Sequence, residues 1–330
     1  MKKKIAVYAI CKNEEAFTDR WFSSMREADE IVVLDTGSED ETVERLKTLG
    51  AKVYEQKFVP WRFDKARNAA LSCVSDDADI CVATDLDEVF SPGWRNALER
   101  AWTEGIRRAR FKYVWSFLPD GSEGTVLWLD KIHARHGYQW YYPVHEALVR
   151  KNGSDAPHEY ATVSGMTLYH HPDPAKSRAQ YLPLLELSVR ENPSDARCLH
   201  YLGREYMYQS RWWDAIDVLK KHVTLPFSVW QEEKSASFRY MGRCFQHLDL
   251  SERAEEMYLS AISLCPWLRE GYSELAKLYY EKGKYALSAY FAEFGLKIRH
   301  RTDAYMTDAE AWNGQLERIL ASSRDALLHG

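Results

Sequence analysis

Along the first half of the chain, short apolar runs alternate with longer stretches of helical spacing. Ile5 to Ile10, Ile31 to Leu34, Val53 with Tyr54, and Ile80 to Thr84 have strand-like composition, and 14–26, 40–49, 64–75 and 93–103 follow them in turn. This alternation predicts βαβ units and a mostly parallel sheet. On such a sheet, ligands gather beyond the carboxyl ends of the strands.

From about residue 176 the strand pattern stops and helical spacing takes over. Three stretches align there: YLGREYMYQSRWWDAIDVLKKHV (201–223), YMGRCFQHLDLSERAEEMYLSAI (240–262) and ELAKLYYEKGKYALSAYFAEFGL (274–296). Gly203, Gly242 and Ala276 are each followed twelve positions later by Ala215, Ala254 and Ser288, giving periods of 39 and 34, and Pro226 and Pro266 close two of the units. Small residues at fixed spacing let paired helices approach while Tyr, Leu and Trp fill the seams. The pattern predicts stacked, tetratricopeptide-like helix pairs; the alternative is an irregular helical bundle with coincidental small positions.

At 330 residues and 45% hydrophobic content, the chain supports two packed cores, expected at 1–175 (α/β) and 176–330 (all-helical). A formal charge of -5 and a pI near 6.2 give no overall basic face for nucleic acid or anionic lipid. The six cysteines are scattered, without a C-x-x-C pair, and read as reduced, buried thiols. The opening MKKKIAVYAICKNEE is basic and then only briefly apolar, too short for a secretory core or a span, so a soluble cytoplasmic protein without membrane insertion is expected.

Cys11-Lys12-Asn13-Glu14, Asp35-Thr36-Gly37-Ser38 and Asp85-Leu86-Asp87 follow the first, second and fourth strands, which sets all three polar clusters on one rim. Singly, Asn13 or Asp35 suits a helix cap or a turn. Asp85, Asp87 and Glu88 crowd like charges at the end of one strand and call for a counter-charge. Converging carboxylates suit an oxygen-loving divalent cation, Mg²⁺ or Mn²⁺, shared with a substrate diphosphate. An isolated D-x-D also suits a solvated turn.

AICKNEE, DEIVVLDTGSEDETVE, RFDKARNAAL and TDLDEVF, in this order and spacing, resemble the family 2 glycosyltransferases with the GT-A fold, over roughly residues 4–170. The subgroup most similar carries tetratricopeptide-like repeats after the catalytic domain, as in bacteriocin peptide S-glycosyltransferases and related bacterial and phage proteins. The resemblance implies transfer of a sugar, with inversion, from a nucleotide donor, expected to be UDP-linked. It implies that backbone around Ala9 and Ile10, with Asp35, frames the nucleobase, and that Asn13 and Glu14 belong to the same donor rim. Arg67 would lie near the nucleotide, Asp85 near its ribose or the metal, and Asp87 on the Mn²⁺ or Mg²⁺. A late histidine, His145 or His170, would complete the metal shell.

An inverting enzyme also needs a general base. Glu146 in WYYPVHEAL is the first candidate and Glu88 the second; a His-Glu pair after aromatics equally suits a structural hydrogen bond. The aromatics of YVWSF (113–117) and YQWYY (138–142) suit either a sugar platform or a core. RRARFK (107–112), Lys131, Arg135, Arg150 and Lys151 read as a solvated face or as phosphate contacts for a modified phage DNA acceptor. The repeats would present a peptide, protein or glycan acceptor or form a homodimer contact. A degenerate scaffold binding a protein partner is the competing class. Sugar-phosphate nucleotidyl transfer is a further one, but AICKNEE lacks the glycines its phosphate loop needs.

Overall fold

The computed structural model describes residues 2–118, 120–173, 179–226, 228–302 and 306–329. It divides into two compact units, Met1–Arg178 and Ala179–Gly330. The expected boundary at 175/176 lies outside the described residues.

In the first unit, strands β1 (Ile5–Cys11), β2 (Glu30–Asp35), β3 (Lys52–Glu55) and β4 (Ile80–Thr84) alternate with helices α1 (Thr18–Met25), α2 (Thr42–Leu49) and α3 (Phe63–Ser72). These are the elements the apolar runs predict. The chain continues through β5 (Glu88–Phe90), α4 (Trp94–Ala101), β6 (Arg108–Val114), β7 (Val126–Ala134), β8 (Tyr138–Tyr141), β9 (Ala147–Arg150) and β10 (Tyr160–His170). The main sheet runs β3-β2-β1-β4-β7-β6-β10-β5, and β8 pairs with β9 in a separate ribbon. β3, β2, β1 and β4 are mutually parallel, whereas β7 is antiparallel to both β4 and β6. Every residue of β1, β2 and β4 is buried, which is why these strands read as continuous apolar runs.

Two irregularities shape the far side of the sheet. β7 carries an extra residue against β6, since Ala109 faces Ile132 but Phe111 faces Leu129. β10 carries a larger one, with Val163 opposite Phe111 and Thr167 already opposite Lys112. Such bulges bend a strand and re-aim its side chains.

Among the described residues the second unit has helices and no strand. α5 (Tyr181–Glu191) precedes three helix pairs: α6 (Ala196–Tyr208) with α7 (Trp212–Thr224), α8 (Gln231–His247) with α9 (Ser251–Leu264), and α10 (Arg269–Glu281) with α11 (Tyr285–Lys297); α12 (Gln315–His329) follows. The repeated small residues sit where the helices of a pair meet. Gly203 lies against Leu219, Gly242 against Tyr258, and the Ser288 hydroxyl donates to the Ala276 carbonyl at 2.8 Å. All six cysteines are free, and all but the half-buried Cys73 are buried. No helix among the described residues is long and apolar enough to cross a membrane.

Candidate active site

The carboxyl ends of β1, β2 and β4 form one rim, and the loops there brace one another. Asn13 takes a left-handed conformation (φ 54°), receives the Glu39 N–H on its side-chain oxygen and donates its own N–H to Ser38 Oγ, both at 2.8 Å. The Asp35 carboxylate, 2% exposed, accepts from the Gly37 and Ser38 N–H groups at 2.8 and 2.9 Å and from the Ser38 hydroxyl. Glu14 is buried, and its N–H donates to Thr42 Oγ1 at 2.7 Å. Ala9 and Ile10 lie buried in β1, paired with Val33 and Leu34 of β2. Asn13 and Asp35 therefore shape the loops of the rim with the same atoms that the sequence offers to a ligand.

The acidic turn after β4 has its counter-charge within the protein. Lys131 lies 3.0 Å from Asp85 and 3.2 Å from Glu88, and Arg67 of α3 donates to Asp85 at 2.7 Å and to Glu146. β4 pairs with β7 only as far as Val82–Ile132, so Lys131 is the next residue of β7, beside the free end of β4 and within its bulge. Burial alone would raise the Asp85 pKa, but Arg67 and Lys131 overcome it and hold this carboxyl well below the usual range. Glu88 moves the other way: burial, assisted by the charges of Asp85 and Asp87, raises it despite Lys131. Glu88 is 1% exposed and also accepts the Asp85 N–H at 2.9 Å, so it belongs to the interior of the turn.

Asp87 points elsewhere. Its carboxylate lies 3.4 Å from His170 Nε2, and its carbonyl accepts the His171 N–H at 2.8 Å. The pairing of β10 with β5, which sets His170 opposite Glu88, makes this approach. His170 Nδ1 donates to the Trp115 carbonyl at 3.1 Å, which fixes the ring with Nε2 toward Asp87. Burial pulls the His170 pKa down, but the hydrogen bond to Asp87 and its charge outweigh it, and the net shift is upward. His145 (φ 50°) occupies the loop between β8 and β9 and directly precedes Glu146. Tyr142, also at positive φ, begins the same loop, and Phe63 at the start of α3 donates its N–H to the Pro143 carbonyl at 2.9 Å. This strained loop delivers Glu146 to Arg67.

Asp87 and His170 fit a divalent cation as a pair of donors. The histidine anchors its other ring nitrogen on a carbonyl, as metal-binding histidines do. Among the described residues no group of three or more His, Cys, Asp or Glu converges at metal spacing, so substrate oxygens and water would supply the remaining positions, as is usual for Mg²⁺.

The aromatic stretches divide. Tyr113, Tyr138 and Trp140 are buried, with Trp140 beneath Arg67 at 5.2 Å and donating to the Tyr8 hydroxyl at 2.7 Å. Trp115, Phe117 and Tyr141 are 42%, 39% and 41% exposed. The basic stretch is largely neutralised, because Arg108, Lys112, Lys131, Arg135 and Arg150 each meet a carboxylate. The sequence suggests for Lys131 a solvated face or a phosphate contact, and the structure instead turns it toward Asp85 and Glu88. A bulge that interrupts alternation hides such a residue, and only the apolar neighbours in WLDKIHA hint at it.

Residues 6–105 match the model of glycosyl transferase family 2. An uncharacterized glycosyltransferase of Rickettsia typhi is 37% identical over 92 residues, covering 26% of this chain and 31% of its own length. A second, from Rickettsia prowazekii, is 33% identical over 102 residues, covering 31% and 34%. The chain thus spans about a third of the length of the curated relatives it matches. The crystal structure of glucosyl-3-phosphoglycerate synthase from Mycobacterium tuberculosis with Mg²⁺ and uridine diphosphate is 26% identical, covering 34% of this chain and 44% of that one, at a TM-score of 0.28. The matched stretch contains the rim of β1 and β2, Arg67 and the Asp85–Asp87 turn, and through it the first unit carries a family 2 glycosyltransferase domain.

Proposed function

We propose that this chain transfers a sugar from a nucleotide donor, UDP-linked, to an acceptor nucleophile with inversion, assisted by Mn²⁺ or Mg²⁺. The observation that carries the reading is the split of one acidic turn: Asp85 is neutralised by Arg67 and Lys131, whereas Asp87 is left facing His170. Asp87 and His170 would hold the cation. When bound, it would offset the charge that develops on the departing diphosphate.

The protein's own residues do the rest. Asp35 and Asn13 stiffen the loops at the end of β1 and β2 where the nucleobase would lie. Arg67, lying over Trp140 and tied to Asp85 and Glu146, brings a fixed positive charge to the donor side. Glu146, with 12% of its side chain exposed, is the carboxylate assigned to take the acceptor proton, and the fully enclosed Glu88 is assigned to positioning.

A protein-binding scaffold has no use for this arrangement. Apolar groups of similar size generally serve stability as well as a buried ion network or better. The pairing of the basic stretch likewise disfavours a DNA acceptor, which would need cations available to phosphate. Release of nucleoside diphosphate from UDP-, GDP- and dTDP-sugars, with and without Mn²⁺, tests the reading. Metal-dependent release from one donor is expected, and none from any donor would overturn it.

A further inference from the structure

Trp115 and Phe117, just beyond β6, are held in solvent by a built hairpin. The Trp115 N–H donates to the Thr125 carbonyl and the Gly124 N–H to the Ser116 carbonyl, both at 2.8 Å, and Phe117 bridges Glu123. Gly124 packs so tightly on Ser116 that a Cβ there would lie 2.9 Å from the serine hydroxyl. Trp115 stacks on His170 with centroids 6.2 Å apart and planes 19° from parallel; Phe117 stacks on His171 at 5.4 Å and 19°. Two aromatic stacks on consecutive histidines, His170 at the end of β10 and His171 just beyond it, thus make a shelf beside Asp87. Holding a Trp and a Phe rigidly in water is unfavourable unless something covers them.

We propose that this shelf seats a carbohydrate acceptor. The proposal rests on the transferase reading for its place in the reaction. In the sheet, β1 and β2 lie on one side of β4, and β6 and β10 on the other. A nucleotide over the Asp35 rim therefore leaves the Trp115 flank for the second substrate, with the Asp85–Asp87 turn between them. A pyranose offers an apolar C–H face to flat rings and hydroxyls at its edge, where the Lys112–Glu123 pair supplies donors and acceptors. A peptide strand would need an open sheet edge, but β10 has β6 on one side and β5 on the other at Leu168–His170. Phosphate of a nucleic acid would meet a lysine already neutralised by Glu123.

Saturation-transfer NMR on the full chain, with methyl glycosides of glucose, galactose, mannose and N-acetylglucosamine as probes, tests the shelf without a donor. At least one glycoside should bind, roughly tenfold more weakly in Trp115→Ala and Phe117→Ala and near wild-type strength in Trp115→Phe. Both alanine variants keep the backbone hydrogen bonds of the hairpin, and a cooperative melt of each shows that the fold is retained. Absence of glycoside binding, binding indifferent to both alanine substitutions, or binding of peptides in place of glycosides overturns the proposal. Thermal stabilisation by UDP with Mn²⁺, read on the same samples, separates the two ideas: its failure alongside shelf-dependent glycoside binding sinks the transferase reading and leaves the shelf standing.

Discussion

The Lys131 ammonium lies 3.0 Å from the Asp85 carboxylate, reaching it from the bulge of a neighbouring antiparallel strand. The side chains are 17% and 33% exposed, so the pair is partly desolvated. Removing Lys131 leaves Asp85 with Arg67 alone and Glu88 without its cation. Lys131→Met should lower stability by about 1–3 kcal/mol, and Lys131→Arg should recover most of it. Urea unfolding of both variants checks this, and equal losses would show that the charge is not what matters.

If Asp87 and His170 hold the metal, Asp87→Asn and His170→Gln should each cut Mn²⁺-dependent nucleoside diphosphate release by roughly 100-fold or more. The melting temperature should change little, because the Asp85 network is left intact. Manganese titration followed by electron paramagnetic resonance gives a second readout. Unchanged manganese affinity in both folded variants would remove the pair from the metal site.

The first four strands and their helices were legible because β1, β2 and β4 are buried throughout and are apolar apart from Glu30 and Asp35 at the two ends of β2 and Thr84 at the end of β4. β7 was not: it mixes Asp130, Lys131 and His133 with aliphatics, and its bulge destroys the period-two pattern. β5 is three residues long and sits inside the acidic motif itself. The acidic turn was visible, but its cations were not, since Arg67 and Lys131 lie 18 and 46 positions from Asp85. Likewise, YVWSF could not reveal that Tyr113 is buried and Trp115 exposed until β6 was known to end at Val114.

Glu146 is tied to Arg67, so two roles can be separated by kinetics. Glu146→Gln keeps a hydrogen-bonding oxygen for the guanidinium but loses the proton acceptor. Donor binding should persist and transfer should fall by about 100-fold or more. Loss of UDP affinity with unchanged transfer at saturating donor would assign Glu146 to holding Arg67.

Each unit buries a histidine. Burial pushes His133 down to about 4 and His200 down to about 3, while both titrate near 6.5 when unfolded. Between those values each of these two histidines binds more protons in the unfolded chain than in the folded one, so each makes stability fall as pH falls. The loss begins near pH 6.5, grows by about 1.4 kcal/mol per pH unit per histidine and levels off below the folded values. Equilibrium unfolding from pH 7.5 to 4.5 should show this decline, and it should shrink in His200→Gln. A pH dependence in His200→Gln equal to that of the wild type would mean that His200 is not held neutral.

The repeat pattern makes its own demand on packing. At Gly203 a Cβ would lie 2.5 Å from Leu219 Cγ, and at Gly242 it would run into the ring of Tyr258, which is itself fully buried. Gly242→Ala must therefore push α8 away from α9 or displace the ring, at a cost of about 1–3 kcal/mol, although alanine is the better helix former. Trimming the obstacle should offset the insult: Gly242→Ala with Tyr258→Leu should be less destabilised than the two single changes added together. Additive losses in that cycle would mean that the glycine is not kept for the helix contact, and the spacing of small residues would lose its physical reason.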